Sequence, residues 1–350
     1  MRELRIGDHV VNDQSDPFII AEIGSNHMGD FKVCLEMIRT AARCGVQAVK
    51  MQKRNNREMF TKTGYNRPYD NELSYGKTYG EHRDKLDNFT PLQWKKFRQV
   101  ATDCGVLFFA TPFEQDSLTF LDRLDVPLYK VASCDVTNIP LIRSIAEKGK
   151  PIIISTGGST LHDISRVYHE INHLNSNIAF LHCVSTYPNR DEDLNLDVIS
   201  SLRINFPNNV IGFSSHHPGI MPNFLACQLG ASIFEVHFTM NRANRGTDHG
   251  YSLEPHALEK LCEDLPRVKR MVGLAKKKVL EEERTGFVLK MGKSCYPAHS
   301  IKAGTGISDR DIIIKSPGGG LPPYQRDNII GRVAVRDLTT GIPFSEEDFE

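Results

Sequence analysis

Two histidines stand where apolar runs end. His216 lies in GFSSHH (212–217) and His237 in FEVHFT (234–239). Imidazole nitrogens suit Mn²⁺, Fe²⁺, Co²⁺ and Zn²⁺. Two of them, with water or a ligand completing the shell, would form an open site that polarises an oxygen as a Lewis acid. Lys50 and Lys130 sit in equally apolar surroundings, AVKMQ and YKVAS, with no acidic partner close by in sequence. A buried ammonium is costly unless compensated, so the pair predicts a bound polyanion. Thr111, Ser133, Ser155, Ser185 and Ser214 end other apolar runs. Each alone reads as a strand-end cap. Together with two lysines they suggest a cradle for a phosphate and a carboxylate. Glu22 falls inside IIAEIG, where a carboxyl has either a chemical role or a tight partner. Asp135 and Glu235 are equally consistent with pairing the lysines. Asp248, in RGTDHG, could meet a substrate hydroxyl, and Asn26, His27, Gln52 and Tyr187 would complete a polar lining.

These residues share one structural context. Eight β-branched apolar runs, starting near residues 19, 46, 106, 126, 151, 178, 209 and 231, alternate with helix-length segments. Helical patterns fall at 30–44, 91–104, 114–124, 138–148, 160–173, 194–206, 219–229 and 255–274. That rhythm predicts an α/β fold, a (β/α)₈ barrel, whose strand carboxyl ends converge on one mouth. The chemistry-bearing residues all fall at those ends. Residues 1–16 read as a cap with a hairpin-like turn in VVNDQSD. The rhythm breaks at 53–90, a long polar insertion, and long loops of this kind are commonly lids or binding loops. After a charged helical tail (274–286) the pattern changes to short strands with Gly and Pro turns. The predicted organisation is a barrel over 1–274, a linker over 275–289 and a small β-rich domain over 290–350.

At 350 residues the chain exceeds the roughly 250 of a barrel alone. Forty-three basic residues balance 43 acidic ones. That balance speaks against nucleic-acid or anionic-membrane binding, which needs a basic excess. The eight cysteines contain no C-x-x-C pair and sit mostly in apolar segments, predicting reduced thiols and a cytoplasmic location. No signal-like h-region or membrane-length apolar stretch occurs.

From about residue 17 onward the chain resembles the sialic acid synthase family, the phosphoenolpyruvate-dependent N-acetylneuraminate synthases. The resemblance rests on AEIGSNHMG (21–29), AVKMQ (48–52), ATPFEQDS (110–117), YKVASCDVTNIPLI (129–142), ISTGG (154–158), LHCVSTYP (181–188), GFSSHHPG (212–219), FEVHFT and RGTDHGYSLEP (245–255). The C-terminal segment, with IIIKSPGGGLPPY (312–324), resembles the antifreeze-like SAF domain (a β-clip) of those enzymes. The resemblance implies that phosphoenolpyruvate meets Lys50, Thr111, Lys130, Ser133, Ser155, Ser185 and Ser214. It implies a divalent metal on His216 and His237, with Mn²⁺ first and Mg²⁺ or Co²⁺ as alternatives. The acceptor sugar would meet Gln52, Tyr187 and Asp248, and Glu22 would act as acid–base residue. It also implies a domain-swapped homodimer whose SAF domain covers the partner's barrel mouth. Ser316 occupies the SAF position where many bacterial members carry an Arg that reaches the sugar. SYGKTYGEHRDKLDNF (74–89) resembles the form in members using a 6-phosphorylated sugar, so Lys77, His82, Arg83 and Lys85 are candidates for a second phosphate.

The expected activity is therefore a transferase. It condenses phosphoenolpyruvate with N-acetylmannosamine or a related hexose, free or 6-phosphorylated, to a nine-carbon 2-keto-3-deoxy acid with release of phosphate. A Schiff-base aldolase using Lys50 or Lys130, and a non-catalytic carbohydrate-binding barrel, are the competing readings.

Overall fold

The computed structural model describes residues 2–273 and 275–350. The chain forms two compact units that divide after Gly273.

In the first unit eight strands run parallel: β3 (Phe18–Glu22), β4 (Ala48–Lys53), β5 (Leu107–Pro112), β6 (Tyr129–Val131), β7 (Ile152–Ser155), β8 (Ile178–Cys183), β9 (Val210–Ser215) and β10 (Ile233–His237). Hydrogen bonding follows the order β5-β4-β3-β10-β9-β8-β7-β6, with β5 packed beside β6 to bring the sheet round into a barrel. Nearly every strand position is buried, because helices cover the outer face and side chains fill the inside. This is why the runs read as continuously apolar and not as alternating.

The covering helices are α1 (Phe31–Arg43), α5 (Pro91–Asp103), α6 (Gln115–Arg123), α7 (Ile139–Ala146), α8 (Leu161–Ile171), α9 (Val198–Asn205), α10 (Met221–Gln228) and α11 (Pro255–Val272). Their starts follow from local chemistry. Asp30 accepts from the Lys32 and Val33 amides. Thr90 and Gln93 form a capping box with Pro91 at the first helical position. Inside α5, Trp94 packs edge-on against Phe97, Phe108 and Phe120 and is almost fully buried.

An N-terminal hairpin, β1 (Glu3–Ile6) and β2 (His9–Asn12), turns at Gly7 (φ +57°), several residues before the VVNDQSD turn read from the sequence. The polar cluster instead follows β2, where Asp13 binds Arg203 (2.8 Å) and Arg2 (3.1 Å). Leu4, Ile6 and Val11 join the barrel core. Arg5 and Asn12 bond to Asn177 and Ser232, just ahead of β8 and β10, so the hairpin closes the end opposite the mouth.

The 53–90 insertion is more ordered than a polar loop. It contains α2 (Asn56–Met59), α3 (Lys62–Tyr65) and α4 (Tyr79–Leu86), the last with a Thr78/Glu81 capping box. Its tip is clipped to the loop after β10. The Tyr75 hydroxyl donates to the Arg245 carbonyl, and the Arg245 guanidinium donates to the Ser74 carbonyl.

The second unit pairs β11 (Ser294–Pro297) with β12 (Ile312–Lys315) in antiparallel register. A small core includes Cys295, Ile307, Leu321, Ile329 and Phe344. The charged tail is not a continuation of α11. Helical turns begin only at 281 and run to 291, with π-type bonding at 283–288 where Gly286 interrupts the pattern. Among the described residues no helix is long and apolar enough to cross a membrane.

Candidate active site

A cavity of about 790 Å³ opens at the carboxyl ends of β3–β10. It brings together Glu22, Lys50, Gln52, Thr111, Lys130, Ser133, Ser155, Ser185, Tyr187, Ser214, His216, His237 and Asp248. These come from every strand of the barrel or the turn that follows it, so strand-end position was the right guide to them.

The floor is an ionic net. Glu22 and Lys50 are register partners on β3 and β4, and their charged ends lie 2.7 Å apart. Glu235 on β10 stands 3.4 Å from Lys50 and 3.8 Å from Lys130. Both lysines therefore have carboxylate partners, although none stands near either in sequence. The partners are remote in sequence and adjacent only through barrel register. Of the two candidates, Glu235 takes the role, while Asp135 bonds Asn138 on its own turn. Lys130 also donates to Ser155 Oγ (2.7 Å), and Lys50 reaches Thr111 Oγ1 (3.4 Å). Burial pushes the Lys130 ammonium below the usual lysine range. Burial raises the Glu22 carboxyl, with the Lys50 charge pulling against it.

On the side of β6–β8 the wall narrows round Gly157. Its amide donates to Ser133 Oγ (3.0 Å). A Cβ there would fall 2.2 Å from Ser185 Oγ and 3.0 Å from Ser133 Oγ, so only glycine lets these hydroxyls converge. Three serine hydroxyls near a lysine, one of them fixed by the Gly157 amide, make a donor-rich recess of the kind that holds a phosphate.

The two imidazoles lie opposite, ring centres 5.3 Å apart. His216 Nδ1 is 2.9 Å from the Val184 carbonyl, a contact that needs the proton on Nδ1 and leaves Nε2 with its lone pair. His237 Nδ1 is buried with no hydrogen-bond partner, 3.8 Å from Asp248 Oδ2. Burial brings the His216 imidazole down to about 4 and lowers His237 too, so both are neutral near pH 7. Neutral nitrogens with free lone pairs fit a divalent ion. Among the described residues no third His, Cys, Asp or Glu joins them in one cluster. Gly24 (φ +54°) lets the β3 turn pass close by, since a Cβ there would meet Asp248 Oδ2 at 2.9 Å. The Ser25 amide and Thr247 hydroxyl both donate to Asp248.

Several expected residues lie elsewhere. Asn26 is spent on the Phe238 carbonyl and Ser252, and His27 Nδ1 accepts from the Gly29 amide, so neither lines the cavity. Of the second-phosphate candidates, His82 and Arg83 face the cavity. Lys77 does not; it borders a separate surface cleft with Arg245, because it precedes α4 on the solvent side. Lys85, on α4, is exposed and outside the lining. Ser316 belongs to the second unit, where it accepts from Lys293 and donates to the Met291 carbonyl. The sequence reading missed Ser25, Arg54, Cys183 and Tyr251, which also line the cavity. Arg54 was detectable in principle. It continues the period-two series Lys50, Gln52, Arg54 on one side of β4.

The barrel with this mouth defines a class of small-molecule enzyme, and likeness to known proteins narrows it. The NeuB family model matches residues 37–277 and the SAF domain model matches 292–350, so the chain belongs to the NeuB family. It is 38% identical to N-acetylneuraminate-9-phosphate synthase of Homo sapiens, over 92% of this chain and 89% of that one. It is 30% identical to N,N'-diacetyllegionaminic acid synthase of Campylobacter jejuni, over 91% and 96%. The N-acetylneuraminic acid synthetase of Leptospira borgpetersenii, solved with citrate, superposes with a TM-score of 0.73 at 31% identity, covering 82% of this chain and 95% of that one.

Proposed function

We propose that the protein is a nonulosonate synthase that joins phosphoenolpyruvate to the aldehyde of an open-chain N-acylated hexosamine and releases inorganic phosphate. The observation that carries this reading is the meeting of two lysines, convergent hydroxyls, two neutral imidazoles and Glu22 in one cavity. The relatives' names agree with it, and that of the human relative points to an acceptor carrying a terminal phosphate.

In this scheme Lys130, Ser133, Ser155, Ser185 and Ser214 hold the phosphate, with the Gly157 amide fixing Ser133, while Lys50 and Thr111 hold the carboxylate. The fixed pose presents C3 of phosphoenolpyruvate to the aldehyde carbon. A new C–C bond forms, and the aldehyde oxygen takes a proton. Water adds at C2, and the resulting tetrahedral centre collapses by breaking its C–O bond to phosphate. Glu22, with its affinity for protons raised by burial, is placed to move a proton at these oxygens, and Gln52, Tyr187 and Asp248 orient the sugar. A divalent ion, Mn²⁺ first, would be held by His216 and His237 and would polarise the aldehyde oxygen. The reading includes a homodimer in a reduced cytoplasm, and all eight cysteines are free.

The deciding experiment is phosphate release from phosphoenolpyruvate with Mn²⁺ against N-acetylmannosamine, mannose and their 6-phosphates. With bridging ¹⁸O, the label should leave in phosphate; label retained in the acid would overturn the scheme. Chelation or His216→Ala should abolish release. Borohydride trapping of a lysine adduct with pyruvate, together with indifference to chelators, would instead support a Schiff-base aldolase.

A further inference from the structure

The ionic net on the cavity floor continues up one wall. The Gln52 amide donates to Glu22 Oε1 (2.7 Å), and its carbonyl accepts from the Arg54 guanidinium. Arg54 Nη1 reaches Asp87 Oδ1 at 3.3 Å. Arg83 binds the same carboxylate, Nη2 to Oδ1 at 3.1 Å and Nε to Oδ2 at 3.3 Å, and donates to Ser25 Oγ at 3.2 Å. The guanidinium of Arg54 also stacks 4.0 Å over the Phe113 ring.

The charge count at this end does not close. Arg54 and Arg83 keep only 10% and 8% of their side chains exposed, yet share one carboxylate of similar burial. Among the described residues no other carboxylate lies within 4 Å of either guanidinium. Asp84, the next acid on α4, is taken by Asn56 and Tyr65. Two guanidiniums held around one carboxylate repel each other, and burying an unpaired cation is unfavourable. Both line the cavity, beyond Gln52 as seen from the floor. His82 adds a neutral donor there. Its Nδ1 accepts from the Tyr75 amide, which places the ring proton on Nε2.

We propose that Arg54, with Arg83 fixed beside it by Asp87, is the specificity determinant for a second anionic group on the acceptor, its terminal phosphate monoester. A guanidinium fork matches phosphate oxygens, and an incoming dianion supplies the charge that Asp87 leaves short. Asp87 is a positioning residue that touches the arginines and not the substrate. This rests on the synthase reading and assigns to the insertion and the β4 end the discrimination between a phosphorylated and a free sugar.

The test compares kcat and KM of wild type, R54Q and R54K with N-acetylmannosamine and its 6-phosphate. R54Q leaves Arg83 and Asp87 as a neutral one-to-one pair, so the fold is retained. In R54Q, KM for the 6-phosphate should rise at least tenfold more than KM for the free sugar, with KM for phosphoenolpyruvate changed by no more than a factor of a few. R54K should recover part of the loss. Equal effects on both sugars, or a rise confined to phosphoenolpyruvate, would overturn the assignment while leaving the synthase intact. So would a wild type that turns over both sugars with equal kcat/KM. If no acceptor elicits phosphate release from wild type, the synthase reading falls and this one with it.

Discussion

Single residues in this chain are tuned mainly by burial. His27 lies fully enclosed against Phe89, and burial holds its imidazole down to about 4, against an ordinary value near 6.5. A depressed imidazole means that the folded state prefers the neutral ring. As pH falls below about 6.5 the unfolded chain takes up a proton that the folded chain refuses, until about pH 4. Stability present above 6.5 is thus lost across that window, by about 3 kcal/mol from this site. Urea midpoints of wild type against His27→Phe between pH 7 and 4.5 should converge as the wild type weakens. Glu22 is tuned the other way. Glu22→Gln keeps the shape and the Gln52 contact but cannot exchange a proton. It should cost about 10²–10⁴ in kcat, and the KM for phosphoenolpyruvate should stay within a factor of a few. An unchanged kcat would remove Glu22 from the proton-transfer role.

At the scale of elements, the turns after the strands carry specificity. Gly157→Ala puts a methyl into the space where Ser133 and Ser185 meet. The expected outcome is a rise of about tenfold in KM for phosphoenolpyruvate, with the acceptor KM and the melting temperature little changed. Steady-state kinetics with each substrate varied would show it. The elements also explain what the sequence made legible. Strand ends were readable because apolar runs stop abruptly at Thr111, Ser155 or His237. Pairings such as Glu22–Lys50 and Lys130–Glu235 were not, since they depend on barrel register and on strands far apart in the chain. Arg54 read as ordinary solvated charge, and Arg83 stood out only through the family resemblance, because the insertion is polar overall. Only its folding into α2–α4 buries them. Lys77, the residue just before the α4 capping box, falls on the outer side for the same reason.

For the whole molecule, the two units make separate claims. The barrel unit contains the cavity and every residue of the phosphoenolpyruvate and metal proposals. The second unit carries Ser316 and a small core of its own. A domain of that size buries little apolar surface and gains from docking, in keeping with the proposed dimer. Sedimentation should return twice the 39.4 kDa of one chain, and a monomer at micromolar concentration would exclude the exchanged arrangement.

The single tryptophan of the chain, Trp94, is buried on α5 against three phenylalanines of the barrel unit. The second unit has none. Indole fluorescence is therefore a selective optical reporter, blue-shifted while the barrel is packed and red-shifted when it opens. Calorimetry or far-ultraviolet dichroism instead sees both units. A melting curve followed by emission and by dichroism together would reveal whether the C-terminal unit comes apart in its own transition or only when the barrel does. No label has to be introduced.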